Sequence, residues 1–154
     1  MNNNLITVDG YKNLLSKINE LKEKLRHAMA DVADGMGDND FREDSRLIIA
    51  MEERSKIGKQ LDDIENIFNE AIVTMPDMSS DTIGFGRTAK VINLDTDEKR
   101  NFTIVGIHES DPKIGRISYM SPFGKALINL SCGDDFEVVT PNAETYWEVL
   151  EVIQ

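Results

Sequence analysis

The sequence is poor in the residues that build covalent or metal-clamped scaffolds. Cys132 is the only cysteine, so no internal disulfide and no thiolate zinc cluster can form. A reducing compartment is therefore expected. The two histidines, His27 and His108, stand apart from each other and read as ordinary surface or boundary residues. There are four prolines, and the first of them is Pro76. No apolar run approaches the roughly 20 residues needed to cross a bilayer. The opening "MNNNLITVDGYKN" is too polar for a secretory leader. A cytoplasmic protein without membrane contact is expected. Positive charge is also scarce: 17 Lys and Arg stand against 28 Asp and Glu, a net charge of -11. Residues 1–75 carry 10 basic and 15 acidic side chains, and residues 76–154 carry 7 and 13. Such a chain cannot coat a nucleic acid by neutralising phosphates. No binding to free RNA or DNA is expected.

What is present is a strong helical rhythm. Thr7 suits an N-cap, with a helix starting near Val8. Apolar residues then recur at Leu14, Ile18, Leu21, Leu25, Ala28 and Val32, in steps of three and four. A second seam runs through Leu47, Ala50, Arg54, Ile57, Leu61, Ile64, Phe68 and Ala71, with Arg54 as its one charged member. Both are heptad seams. Each stretch has about 28 residues, or about 42 Å of helix. A lone helix with an uncovered stripe is marginal in water. Each stripe is covered if the two helices fold back on one another, or if they pair with another chain. Gly35 and Gly37 favour the reversal. An antiparallel coiled-coil hairpin over residues 1–75, monomeric, is expected.

Pro76 ends the helical pattern, and "PDMSSDTIGFG" at 76–86 reads as a linker. The texture then changes. "RTAKVINLD", "RNFTIVGI", "GRISYM", "DFEVVT" and "TYWEVLEVI" are β-branched and aromatic and are separated by turn signals. Trp147 falls in an alternating pattern and reads as core. Within "SPFGKALINL", Ser121 suits a cap and Pro122 the first helical position. Residues 87–154 should form a small antiparallel sheet with a short helix. The fold class is α+β.

The reversal itself holds "GDNDFREDS", residues 37–45, with Asp38, Asp40, Glu43 and Asp44. Two explanations stand. Acidic residues at the start of a helix cap its free N–H groups and favour its positive end. This accounts for Asp44, or for Glu43 with it, but not for Asp38 and Asp40 as well. The other explanation is a hard-metal site. Mg²⁺ prefers oxygen donors and is often held by one or two protein carboxylates. Asp40 and Glu43 have the spacing to share an ion but not to enclose one. The EF-hand ligand ladder is missing. A site of this kind is complete only when another macromolecule supplies the remaining ligands.

Several stretches in order along the chain carry a resemblance. They are "TVDG", the tip "DFRE" between two long helices, "VINLDTDEKRNFTIVG" and "SPFGKALINLSCGDDFEVV". Together they resemble the Gre family of bacterial transcript cleavage factors. The resemblance implies a coiled-coil finger that enters the secondary channel of RNA polymerase and an FKBP-like C-terminal domain that docks at its rim. It implies that Asp40 and Glu43 help polymerase hold a second Mg²⁺ while backtracked RNA is cut. The protein would stimulate the polymerase's own nuclease and would not be a complete enzyme alone. Its partners would be the polymerase and the nascent RNA 3′ end inside the channel. Ser121 and Pro122 would lie at the docking surface, and Arg54 is the candidate RNA contact. The tip departs from the family pattern: Asn39, Phe41 and Asp44 stand where glycine, leucine and asparagine are usual. An alternative is therefore an inhibitor of the same fold, whose acidic tip blocks the channel without promoting cleavage. A plain coiled-coil adaptor is a third reading.

Overall fold

The computed structural model describes residues 4–35 and 41–153, with side chains for all of these except 34, 35 and 41–44. Two long helices come first: α1 (Val8–Gly35) and α2 (Phe41–Glu70). Thr7 caps α1 as expected, its hydroxyl accepting from Gly10 N at 3.0 Å. The chain divides into a hairpin unit, Tyr11–Glu70, and a sheet unit, Met1–Gly10 with Ala71–Gln154.

Within the hairpin unit the helices run antiparallel. Tyr11 near the start of α1 stacks on Phe68 near the end of α2, with ring centroids 4.5 Å apart. Further along, Ile18, Leu21 and Leu61 are buried together, flanked by Leu25, Ile57, Ile64 and Phe68. These are seam residues, so the heptad steps do mark the facing sides. Lys22 and Glu65 bridge the two helices at 2.8 Å. Towards the turn, Ala28 and Val32 of α1 are still buried, while Leu47 and Ala50 of α2 are half-buried. Off the seam, Ile48 and Ile49 are 57% and 62% exposed, and Met29 and Met51 are half-exposed.

The sheet unit contains β1 (Leu5–Ile6), β2 (Ile72–Val73), β3 (Thr88–Asn93), β4 (Lys99–Val105), β5 (Arg116–Ser118), α3 (Pro122–Leu127), β6 (Asp135–Thr140) and β7 (Ala143–Ile153). The main sheet has the order β5-β4-β3-β7-β6. It is mixed rather than wholly antiparallel, because β5 pairs with β4 in parallel. The physical reason is the connection after β4. It carries two short 3₁₀ turns, Ile107–Glu109 and Pro112–Ile114, which return the chain to the same end of the sheet. A parallel neighbour needs such a return, whereas a tight hairpin would give an antiparallel one. β1 and β2 form a separate parallel pair; they are too short to be read from periodicity.

One face of the sheet packs beneath α3. Ile83, Val91, Ile104, Leu127 and Val149 are fully buried there, and Trp147 lies among them. Phe123 of α3 meets Phe102, Phe136 and Trp147 edge-to-face, at centroid distances of 4.7, 5.5 and 5.3 Å. That geometry suits the quadrupoles of aromatic rings.

Residues 76–86, expected as linker, are part of this packing. Ile83 is fully buried, donating its N–H to Leu130 O and accepting from Asn129 N. The buried Arg87 guanidinium donates to the carbonyls of Asp77, Ser80 and Thr82. A segment rich in turn residues can still be held when a buried cation collects its carbonyls. No helix among the described residues is long and apolar enough to cross a membrane.

Candidate functional site

Three places matter: the turn of the hairpin, the flank of α2, and the start of α3. Asp38 and Asp40 lie outside the described residues. Glu43 and Asp44 fall in the first turn of α2, and their side chains also lie outside the described residues. In chain order, Asp40 immediately precedes the first residue of α2. Tyr11 pairs with Phe68 while Leu25 and Gly58 line a common notch. Gly35 and Phe41, the last residue of α1 and the first of α2, therefore lie at the end of the hairpin remote from Tyr11. The donor set at this turn is all oxygen, which fits Mg²⁺ and not a soft metal. Two carboxylates do not complete such a site. Among the described residues, no three His, Cys, Asp or Glu side chains are grouped so as to hold a metal.

Arg54 is exposed on α2, consistent with its break in the apolar seam. It lines a notch of about 370 Å³ together with Leu25, Met29, Met51, Ser55 and Gly58. Gly58 leaves this side open: a methyl group built there would meet nothing within 4 Å.

Ser121 is the N-cap of α3. Its hydroxyl accepts from Gly124 N at 3.0 Å and donates to Ser118 O at 2.7 Å. Both roles are internal, so Ser121 shapes the start of the helix and its hydroxyl has no spare proton for a partner. Pro122 follows it and is exposed. Gly124 is required by closeness: a Cβ there would lie 2.1 Å from Ser118 O. The half-buried Met120 packs against the core.

Sequence reasoning missed one buried cluster. The Glu109 side chain is 4% exposed. Its carboxylate accepts from Thr7 N at 2.8 Å, from the Thr7 hydroxyl, and from Gly106 N at 3.1 Å. It also pairs with Arg116 Nη2 at 2.7 Å. Glu109 thereby holds the residue that caps α1. A Cβ at Gly10 would fall 2.0 Å from Glu109 Oε1. The Thr-x-x-Gly opening is thus a socket: Thr7 supplies the donors and Gly10 the space. The partner lies 102 residues away in the chain, and nothing local to either end announces it.

Both parts of the chain have counterparts among known proteins. Residues 4–73 match the family model described as "Transcription elongation factor, N-terminal". Residues 78–154 match "Transcription elongation factor, GreA/GreB, C-term". The chain belongs to the GreA/GreB family. Transcription elongation factor GreA of Helicobacter pylori (strain Shi470) is 35% identical over 156 residues, covering 99% of this chain and 94% of the relative. That of Rhodospirillum rubrum is 34% identical over 149 residues, covering 96% and 95%. Among solved structures, GreA factor homolog 1 (Gfh1) of Thermus thermophilus is 26% identical, covering 97% of this chain and 98% of that one, with a TM-score of 0.44. As a Gre-family transcription elongation factor, the chain has its carboxylate-rich turn in the N-terminal family region and its α3 corner in the C-terminal one.

Proposed function

We propose that this factor binds bacterial RNA polymerase in the cytoplasm as a monomer. It inserts its helical hairpin into the secondary channel and stimulates cleavage of backtracked RNA. The observation that supports the reading is the antiparallel pairing of α1 and α2, which puts Gly35 and Phe41 at the end of the hairpin remote from Tyr11. In the sequence Asp40 stands between those two residues and Glu43 in the first turn of α2. Carboxylates at that end of the hairpin would be far from its root and would reach into a partner's interior. Asp40 and Glu43 would each donate carboxylate oxygen to an ion held jointly with the polymerase. Mg²⁺, when bound there, would stabilise charge on the attacking and leaving oxygens of the phosphodiester. On this reading the factor completes the polymerase's site and stimulates the polymerase's own nuclease. Arg54, exposed beside its notch on the hairpin flank, would meet the RNA 3′ end. Docking would fall at the α3 corner, where Pro122 offers an exposed apolar ring on a backbone held rigid by the Ser121 cap.

The test is RNA cleavage in a stalled, backtracked polymerase complex at saturating factor, across a Mg²⁺ titration. Asp40→Asn and Glu43→Gln keep size and remove charge. Each should lower the stimulated rate by roughly tenfold or more, as loss of a transition-state contact does. Polymerase binding should hold, and stability should move by no more than about 0.5 kcal/mol. Added Mg²⁺ should partly restore the rate. If both variants cleave like the wild type, the carboxylates are helix caps. If the wild type slows synthesis and cuts nothing, the factor is an inhibitor.

A further inference from the structure

The sheet unit carries a cleft that neither the hairpin turn nor the α3 corner uses. It lies where the chain leaving β3 runs beside β7, with Leu94 N donating to Tyr146 O at 2.8 Å. The cleft measures about 480 Å³. Its apolar part is made by Leu94 and Tyr146, which stand 46% and 45% exposed, while Phe136 and Trp147 beside them alternate to the core side of the sheet. A single exposed apolar side chain needs no explanation, but two of them side by side make a small exposed apolar surface.

The rim of the same cleft is acidic. Asp95, Asp135 and Glu137 line it, and no lysine or arginine does. Among the described residues none of the three is ion-paired. Only Glu137 has a side-chain contact in the cleft, accepting from the Tyr146 hydroxyl at a long 3.4 Å. The field is strong enough to hold the Tyr146 hydroxyl above the ordinary tyrosine range, with Glu137 the largest cause and Glu144 the next.

An aromatic face and an aliphatic wall, ringed by unpaired carboxylates, match one side chain best. Arginine stacks its flat guanidinium on an aromatic ring, lays its carbon stem on apolar surface, and pairs in fork fashion with carboxylates. A nucleic acid would bring phosphates into the negative field and is disfavoured. We propose that this cleft docks an arginine-bearing segment of a protein partner, with the guanidinium stacked on Tyr146 and paired to the rim carboxylates. The cleft lies wholly in the sheet unit, so the proposal stands apart from the cleavage reading.

The test uses the full-length protein, labelled for amide NMR, and the peptide Ac-Ala-Leu-Arg-Ala-Arg-Leu-Ala-NH2 as probe. Saturable shifts should be confined to residues 94–95, 135–137 and 144–147. The same peptide with glutamate in place of arginine should produce none, and the lysine version should bind more weakly. Tyr146→Ala should weaken arginine-peptide binding roughly threefold, the worth of an exposed cation–π contact. Tyr146→Phe, which keeps the ring, should bind nearly as well as the wild type. Glu137→Gln should weaken binding about twofold, as an exposed ion pair does. The proposal is overturned if shifts spread over the acidic hairpin as well. It is equally overturned if lysine and arginine peptides bind alike with Tyr146→Ala unaffected, or if no saturable shift occurs.

Discussion

Replacing Gly10 by alanine should destabilise the sheet unit, although the same change in an ordinary helix stabilises it. Gly10 sits in the first turn of α1 with no left-handed backbone requirement. On propensity alone, alanine would gain up to about 1 kcal/mol. The new methyl would instead fall 2.0 Å from Glu109 Oε1 and 2.2 Å from its carboxyl carbon. Those atoms end a flexible side chain, but this one is held by Thr7, Gly106 and Arg116 and is 4% exposed. Moving it loses at least one hydrogen bond to a charged group, worth about 1.5–3 kcal/mol. The net expectation is a loss of about 1–2 kcal/mol. In a Glu109→Ala background the space is free, so Gly10→Ala should there gain up to about 1 kcal/mol. The change of sign is the diagnostic, and it corresponds to a coupling of about 2–3 kcal/mol between contacting residues. Urea unfolding followed by Trp147 fluorescence measures it. Trp147 is the only tryptophan and lies in the sheet-unit core, so it reports on the unit that holds Glu109. If Gly10→Ala shifts stability by the same amount and sign in both backgrounds, Glu109 does not occupy the socket and the explanation of Thr-x-x-Gly fails.

Gly58→Ala should stabilise the hairpin by about 1 kcal/mol, because a methyl there meets nothing within 4 Å and the helix gains propensity; thermal melting followed by circular dichroism checks it. Tyr146 should titrate above the ordinary tyrosine value of about 10, since neighbouring negative charge disfavours the phenolate, and Glu137→Gln should lower its midpoint in an absorbance titration. The protein should not shift single-stranded RNA in a gel at physiological salt, because its net charge of -11 opposes phosphate binding; micromolar binding to bare RNA would give the hairpin lysines a role they lack here.

Much of the architecture was legible in the chain because it rests on local, periodic signals. The heptad steps through Ile18, Leu21 and Leu61 locate the facing sides of the two helices, since a stripe repeated every seven residues can be buried only along a helical seam. The strand at Asp135–Thr140 coincides with "DFEVVT", and the α3 cap with Ser121 and Pro122, because alternation and capping are properties of a few adjacent residues. The family was legible too, since its motifs fall in order along nearly the whole chain. Other features depend on residues that meet only after folding. The return through two 3₁₀ turns decided that β5 runs parallel to β4, where turn signals alone suggested another hairpin. The burial of Ile83 and the grip of Arg87 on three carbonyls turned an apparent linker into part of the core. Glu109 shows the division most plainly. By itself it is one of 28 acidic residues in a chain with an acidic surface. Only tertiary structure brings its carboxylate against Thr7 and Gly10, because a hydrogen bond spanning 102 residues leaves no periodic trace in either segment that makes it.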